Sequence, residues 1–105
     1  MNDFMRPALY GAVHDILPIL KSSSIEKKTI EIVGPICETS DKFLTSDNFQ
    51  NVNEGDFIAI SNAGAYGSSM SSNYNIRPNI AEVLVNDKKF SIIRKRQSLE
   101  DLINQ

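Results

Sequence analysis

The chain has 105 residues, of which 41% are hydrophobic and 23% are charged, and its formal net charge is −2. A chain of this length forms at most one domain with a modest core. The slight acidic excess supplies no basic face that could neutralise phosphates, which argues against nucleic acid as a partner. The single cysteine and single histidine exclude an internal disulfide and leave almost nothing for a metal site or a catalytic triad.

The sequence also lacks the usual signals for a membrane or for export. No apolar run approaches the ~20 residues that a membrane span requires. The N-terminus reads M-N-D-F-M-R-P and has no basic segment followed by an apolar one. We therefore expect a cytoplasmic location and no membrane partner.

The first predicted element is a helix. Asp3 is a candidate cap, and Pro7 suits a first helical turn. From residue 8 to residue 20 apolar side chains recur at helical spacing, until Pro18 ends or kinks the helix.

The middle of the chain predicts one strand between two irregular segments. Residues 21–28 are polar and predict a solvated loop, whereas residues 29–33 are rich in β-branched side chains and predict a strand. Gly34 and Pro35 mark where that strand stops or bulges. Residues 41–56 are rich in turn-forming residues, so we expect a long irregular connection there.

The second half predicts a buried strand, a small-residue loop and a hairpin. Residues 57–64 form a short apolar run, and residues 64–75 are small and polar, with two glycines and two tyrosines. Residues 80–85 and 90–95 both alternate, and the Asn-Asp-Lys link at 86–88 predicts that they pair.

A last helix is predicted at the C-terminus, where Ser98 and Asp101 have the spacing of a capping box. The elements together indicate a mainly β or α+β domain with few helices and about five strands. The order of the strands does not follow from this pattern.

Cys37 is the chemically most suggestive residue, and the pattern around it supports two interpretations. Free cysteine is among the most buried residue types, so Cys37 could simply fill the core. Glu38 follows it directly, however, and a neighbouring negative charge disfavours a thiolate. If Cys37 is functional, a neutral thiol that donates a proton is therefore favoured over a nucleophile.

The loop G-A-Y-G-S-S at residues 64–69 offers backbone N–H groups and hydroxyls that could cradle an anion such as phosphate. Turns of glycine and serine are also common between strands for purely structural reasons. The composition does not decide between these two interpretations.

Three segments, taken in order, resemble a known family. Residues 1–14, M-N-D-F-M-R-P-A-L-Y-G-A-V-H, are followed by G-P-I-C-E-T-S-D at 34–41 and by A-G-A-Y-G-S-S-M-S-S-N-Y-N at 63–75. These motifs closely resemble the C-terminal part of the diaminopimelate decarboxylases. The segments A-E-V-L-V and S-I-I-R-K-R-Q-S-L-E-D-L continue the similarity almost to the end of the chain.

The resemblance implies a fold and an activity. The family belongs to the fold-type III pyridoxal phosphate enzymes, in which a (β/α) barrel carrying the Schiff-base lysine precedes a β-domain. Residues 1–105 would be that C-terminal β-domain, a Greek-key-like sandwich or barrel of the alanine racemase type with an N-terminal and a short C-terminal helix. The implied reaction converts meso-diaminopimelate to L-lysine and carbon dioxide in a homodimer whose active sites lie at the subunit interface.

The resemblance also assigns roles to five residues. Cys37 matches the cysteine thought to protonate the substrate carbanion, and Glu38 matches the substrate-binding acid beside it. Both would reach into the partner subunit's site. Arg6 and Tyr10 match residues that hold the distal end of the substrate, and Tyr66 matches the tyrosine that contacts both cofactor and substrate. No metal ligand is implied.

The sequence departs from the family in one respect, because it contains no barrel and no lysine in a motif like the Schiff-base site. We therefore expect a C-terminal fragment that alone neither binds pyridoxal phosphate tightly nor decarboxylates its substrate, and that exposes apolar surface. Three alternatives remain open: an ornithine or arginine decarboxylase domain, a non-catalytic module that binds a full-length partner, and a structural domain with a buried Cys37. The ornithine and arginine relatives usually follow the cysteine with Asp and lack the full R-P-A-L-Y pattern.

Overall fold

The computed structural model describes residues 1–20, 26–50 and 52–104. Strands dominate the described chain, and the helices are short. In chain order the elements are α1 (Pro7–Tyr10), β1 (Ile16–Pro18), β2 (Lys27–Val33), β3 (Lys42–Gln50), β4 (Ile58–Ile60), α2 (Gly64–Met70), a 3₁₀ turn (Tyr74–Ile76), β5 (Glu82–Asn86), β6 (Lys89–Arg94) and α3 (Leu99–Ile103).

The N-terminal helix is much shorter than its sequence pattern predicted. Pro7 does occupy the first turn of α1, but the helix ends at Tyr10 because Gly11 adopts φ 67° and donates its N–H to the carbonyl of Pro7. The helix predicted over residues 8–20 is therefore wrong. Ile16, whose spacing fitted a helix, instead belongs to β1 and pairs with Ile60.

The described strands form three antiparallel pairs: β1 with β4, β2 with β3, and β5 with β6. This confirms the mainly β fold class. Each sheet has two strands, so within the described ranges the strands do not close into a barrel. The strand predicted at residues 29–33 is confirmed and begins two residues earlier, at Lys27, inside what was predicted as a solvated loop. Residues 21–25 of that loop lie outside the described residues.

Two other predictions were wrong in the middle of the chain. Residues 42–50, read as an irregular connection, form the nine-residue strand β3, whose pairing with β2 overrides their turn-forming composition. Within the rest of that segment, Glu54 and Gly55 form a turn. The strand β4 exists, but it is not buried, since Phe57 and Ile58 are both exposed.

Residues 64–75, predicted as a loop, instead begin with the helix α2. A side chain at Gly67 would overlap the ring of Phe4, so this glycine permits the close approach of α2 to the N-terminal segment. The backbone N–H of Gly67 is used within the helix turn, where it donates to the carbonyl of Ala63 at 2.6 Å. This N–H is therefore not free to bind an anion, and the anion interpretation of the segment stays a prediction.

The C-terminal predictions are confirmed. Strands β5 and β6 form a hairpin whose tight turn uses Asp87 at φ 52°. Ser98 and Asp101 form the capping box of α3: Asp101 N–H donates to Ser98 Oγ at 3.1 Å, and Ser98 N–H donates to Asp101 Oδ2 at 2.7 Å.

The buried apolar core is small and lies near the N-terminal segment. It contains Met5, Ile16, Ile36 and Phe49 among the described residues. The β5–β6 hairpin, by contrast, exposes large apolar side chains on both faces: Val83, Leu84, Val85, Phe90, Ile92 and Ile93. Exposed apolar patches of this kind are typical of interaction surfaces. No helix in the described chain is long and apolar enough to cross a membrane.

Candidate functional site

The loop between β2 and β3 carries both Cys37 and Glu38, and hydrogen bonds to Asp41 hold its backbone in place. The buried carboxylate of Asp41 accepts the N–H of Ile36 at 2.8 Å, and the carbonyl of Asp41 accepts the N–H of Gly34 at 2.9 Å. A side chain at Gly34 would overlap the Asp41 carboxylate, so the loop needs glycine there. These contacts hold the backbone that presents Cys37 and Glu38.

Glu38 is the centre of a group of polar side chains that we call the carboxylate cluster: Glu38, Asn2, Arg6, Ser40 and Tyr74. Asn2 donates to Glu38 Oε2 at 2.6 Å, and Ser40 donates to the same oxygen at 3.4 Å. Tyr74 donates its hydroxyl hydrogen to Oε1. The Arg6 guanidinium lies 3.5 Å from Oε2, in a loose ion pair. One carboxylate thus gathers donors from the N-terminal segment, its own loop and the 3₁₀ turn.

These donors change the acidity of the groups in the carboxylate cluster. The hydrogen bond from Tyr74, followed by that from Asn2, lowers the pKa of Glu38, and the Arg6 charge acts in the same direction. The same hydrogen bond raises the pKa of Tyr74, which donates it. The Glu38 charge acts in the same direction, because loss of the Tyr74 proton would place a second negative charge beside Glu38. Glu38 is therefore an ionised acceptor at neutral pH, and Tyr74 is a protonated donor.

Tyr74 is held in place by contacts on both sides of it. Arg77 pairs with Asp3 through Nε and Oδ2 at 2.9 Å, and the N–H of Ser72 donates to the carbonyl of Asp3 at 2.9 Å. Asn73 donates to the side-chain oxygen of Gln97 at 2.6 Å. The segment that carries Tyr74 is consequently tied to the N-terminus on one side and to the C-terminal region on the other.

A second group of side chains, which we call the aromatic cluster, contains Tyr10, His14 and Tyr66. The rings of Tyr10 and Tyr66 stack with their centroids 4.3 Å apart and their planes at 12°. His14 is 4% exposed and meets both tyrosines edge-on, with centroid distances of 5.9 and 6.0 Å. Burial, followed by the proximity of Tyr66, raises the pKa of Tyr10, so its phenol stays protonated at neutral pH.

The two clusters are joined by short helices. Arg6 directly precedes α1 and Tyr10 is its last residue, while Tyr66 and Met70 lie one turn apart on α2. Arg6, Met70 and Tyr74 line one cavity of about 430 Å³. Of the predicted site residues, the structure therefore brings Arg6 and Glu38 into contact with each other, and likewise Tyr10 and Tyr66.

Cys37 lies apart from both clusters, although its neighbour belongs to one of them. It is a free, exposed thiol, so the interpretation as core filler is wrong. Cys37 and Glu38 line a shared hollow of about 440 Å³ with Glu31 and Thr39. The thiol is exposed, it is adjacent in sequence to an ionised carboxylate, and Asp41 holds its loop in place. This arrangement suits a proton donor whose acceptor lies outside this chain.

Sequence reasoning missed Asn2, Ser40 and Tyr74 as members of the carboxylate cluster, and it missed His14 as a member of the aromatic one. All four lie within the segments that carried the family resemblance, which was the available signal. Their roles become visible only when distant segments meet around Glu38 and Tyr10.

The residues present fit part of a pyridoxal phosphate site. The ring of Tyr66 is 41% exposed and rests on Tyr10, so it offers a fixed aromatic surface to a flat cofactor ring. The lysines of the described ranges belong to neither cluster, and Lys42 pairs with Glu31. Over the same ranges, His, Cys, Asp and Glu side chains form no group of three or more that could hold a metal ion.

Comparison with known proteins identifies relatives for this arrangement. Residues 1–64 match a family described as pyridoxal-dependent decarboxylase, C-terminal sheet domain. Over 102 residues the chain is 50% identical to a diaminopimelate decarboxylase of Helicobacter pylori, covering 97% of this chain and 25% of that protein. A diaminopimelate decarboxylase of Vibrio cholerae is also 50% identical, with 97% of this chain and 24% of that protein covered.

Solved structures agree with the sequence comparison. The H. pylori diaminopimelate decarboxylase complexed with L-lysine superposes with a TM-score of 0.85 at 48% identity, covering 99% of this chain and 25% of that one. The diaminopimelate decarboxylase from M. jannaschii gives a TM-score of 0.87 at 42% identity, covering all of this chain and 24% of that one. The chain thus spans about a quarter of the length of the relatives it matches.

Proposed function

This chain belongs to the family of the C-terminal sheet domain of pyridoxal-dependent decarboxylases, and from that premise we propose that residues 1–105 form the C-terminal domain of a diaminopimelate decarboxylase. The reaction would release carbon dioxide from meso-diaminopimelate and produce L-lysine. The observation that carries this proposal is the loop that presents Cys37 beside Glu38, with Arg6 at 3.5 Å from the Glu38 carboxylate.

The loose pair of Arg6 and Glu38 suits the distal end of diaminopimelate. That end carries one ammonium and one carboxylate group, which are the charge complements of Glu38 and Arg6. The Glu38 side chain is 25% exposed and that of Arg6 is 46% exposed. At 3.5 Å their contact is longer than a strong charged hydrogen bond. A bound substrate can therefore replace the pair with two better contacts, since a guanidinium grips a carboxylate in a planar fork.

Cys37 would return a proton to the substrate carbon that loses carbon dioxide. Its thiol hydrogen is available to an acceptor because Cys37 is exposed. A positioned acid of this kind contributes about 10²- to 10⁴-fold to a reaction rate. The thiol is exposed and belongs to neither cluster of its own chain, which supports a site shared with a second subunit.

Tyr66 is the residue of this chain that would contact pyridoxal phosphate. When bound, that cofactor supplies an electron sink for the bond pair released with carbon dioxide. The lysine that would hold it would belong to a part of the enzyme outside the described residues. The homodimer with shared sites and the cytoplasmic location belong to the same proposal, supported by the exposed hairpin and by the biosynthetic reaction.

The proposal can be tested in a chimera that joins this chain to the preceding three quarters of the H. pylori enzyme. We expect the chimera to release carbon dioxide from meso-diaminopimelate in preference to ornithine or arginine. Cys37→Ser should lower kcat about 100-fold or more, because hydroxyl is a weaker acid than thiol, while KM changes less than about threefold.

Thr39→Ala is the matched control, because Thr39 lines the same hollow but makes no described contact with Glu38. We expect its kcat to stay within twofold of the parent chimera. Full turnover in the Cys37→Ser chimera would contradict the proton-donor role. Preference for ornithine or arginine would instead contradict the assigned substrate.

A further inference from the structure

The aromatic cluster contains a buried polar residue that the proposed reaction does not use. We propose that His14 is a positioning residue: its neutral imidazole holds the hydroxyl of Tyr10 and leaves the Tyr10 oxygen as a hydrogen-bond acceptor for the ligand. The inference rests on the proposed function in one respect, namely that Tyr10 contacts the substrate.

The protonation pattern of His14 follows from its partners. Nδ1 lies 3.0 Å from the backbone carbonyl oxygen of Ser61, and a carbonyl oxygen can only accept. Nδ1 therefore carries the hydrogen. Ser61 is itself anchored, because its N–H donates to the carbonyl of Asp15 at 2.8 Å, so this contact fixes the plane of the ring.

The other ring nitrogen, Nε2, then determines whether the Tyr10 hydroxyl donates or accepts a hydrogen bond. Nε2 lies 2.8 Å from the Tyr10 hydroxyl oxygen, and in a neutral ring with hydrogen on Nδ1 it can only accept. A buried charged ring without an anionic partner would cost more than a neutral one. Tyr10 consequently donates its only hydroxyl hydrogen to His14.

A tyrosine oxygen that has donated its hydrogen still has free lone pairs. Tyr10 can therefore receive a hydrogen from a ligand but cannot give one. Of the two charged groups at the distal end of diaminopimelate, the ammonium group alone supplies such hydrogens. His14 in this way makes Tyr10 a second acceptor for that ammonium group, alongside Glu38.

A purely structural histidine would show the same burial, so the test must separate the two roles. Asn at position 14 can imitate the Nδ1–H that faces Ser61, whereas Gln can imitate the Nε2 acceptor that faces Tyr10. In the active chimera we expect His14→Asn to raise KM for meso-diaminopimelate about 3- to 10-fold, as for loss of one hydrogen bond. The KM of His14→Gln should rise much less, because Gln keeps an acceptor that faces Tyr10.

A double-mutant cycle with Tyr10→Phe gives the decisive kinetic readout. If His14 acts through Tyr10, adding His14→Asn to Tyr10→Phe should change KM less than twofold. An equal loss in both backgrounds would overturn the proposal and leave His14 with a structural role alone.

A spectroscopic readout does not depend on activity. In the chimera labelled with ¹⁵N-histidine, the His14 signals are assigned by their absence in the His14→Gln variant. We expect a hydrogen on Nδ1 and none on Nε2 above neutral pH; a hydrogen on Nε2 would overturn the proposal. An inactive chimera with the expected Nδ1 hydrogen would contradict the proposed function while leaving the His14–Tyr10 orientation supported.

Discussion

The carboxylate cluster and the aromatic cluster both draw residues from the first 14 positions of the chain, yet they organise their side chains by different physics. In the carboxylate cluster, one ionised group gathers neutral and positive donors from three segments of the chain, and two of those donors, Arg6 and Tyr74, are exposed. In the aromatic cluster, stacked neutral rings and one buried imidazole fix each other with little charge. The first can bind a charged group by exchanging partners, whereas the second provides a surface that stays still.

This difference predicts that the two clusters respond to different changes in conditions or in sequence. Contacts to a charged group depend on pH and salt, because charges are titrated and screened. Ring stacking depends instead on the distance and angle between the elements that carry the rings. The following substitutions separate the two responses.

The largest effect is expected from Glu38→Gln, which removes the charge at the centre of the carboxylate cluster with little change in shape. The variant loses a charged hydrogen bond to the substrate, so KM for meso-diaminopimelate in the chimera should rise about 10- to 100-fold. We expect kcat to change much less, since recognition and not proton transfer is affected. Steady-state kinetics in the chimera measures both.

Glu31→Gln is the matched control for this loss of charge. Glu31 lines the same hollow as Glu38 but pairs with Lys42 on the neighbouring strand. Its KM should remain within twofold of the parent. A similar loss in both variants would mean that the hollow responds to its total charge and not to the carboxylate cluster.

The aromatic cluster should respond to a change in backbone spacing. Gly67→Ala places a methyl group against the ring of Phe4 and forces α2, which carries Tyr66, away from the N-terminal segment. Overpacking of this kind costs about 1–3 kcal/mol. The free energy of unfolding of the chain, measured in urea, should fall by that amount.

Gly64→Ala tests whether this loss comes from the contact with Phe4. Gly64 is on the same helix, and a side chain there would meet open space. Because alanine favours a helix over glycine by up to about 1 kcal/mol, this variant should be neutral or slightly more stable. Equal destabilisation by both changes would show that α2 tolerates no alanine for reasons unrelated to Phe4.

The smallest effect concerns the pH window of the contact between Tyr74 and Glu38. The pKa of Glu38 is lowered from 4.5, so its stabilisation is complete above that value and is lost as pH falls through the lowered pKa. The pKa of Tyr74 is raised from 10.0, so its stabilisation is complete below that value and is lost as pH rises through the raised pKa. The contact should therefore stabilise the chain most between these limits.

Tyr74→Phe removes the hydroxyl and should lower the Tm of the chain by a few degrees near pH 7. The difference in Tm between parent and variant should shrink in acid and in strong alkali. Tyr66→Phe is the comparison, since the structure shows ring contacts for Tyr66 and none with Glu38. A difference that stayed constant over the whole pH range would show that the Tyr74 hydroxyl stabilises the chain independently of the charge on Glu38.

The sequence could predict those elements whose conformation depends on residues close to one another in the chain. The capping box of Ser98 and the tight turn at Asp87 depend on neighbouring residues, and both are confirmed. The assignment of Ile16 to a helix failed because its partner, Ile60, lies far away in the chain and that pairing decides its conformation. Strand β3 was missed for the same reason.

The candidate site divides in a similar way. Cys37 and Glu38 are adjacent in sequence, so their chemical relation was visible before the structure. The bond from Tyr74 to Glu38 joins residues 36 positions apart, and that from His14 to Ser61 joins residues 47 apart. Neither spacing has a local signature, so only the tertiary structure could identify Tyr74 and His14 as partners.

Cys37 also gives experimental access to the site. It is the single cysteine of the sequence, and its thiol is exposed. A thiol reagent applied to this chain therefore labels one position, and that position adjoins the carboxylate that would receive the ligand. The rate of alkylation at Cys37 should thus report occupancy of the neighbouring hollow, so that binding can be followed chemically without any turnover.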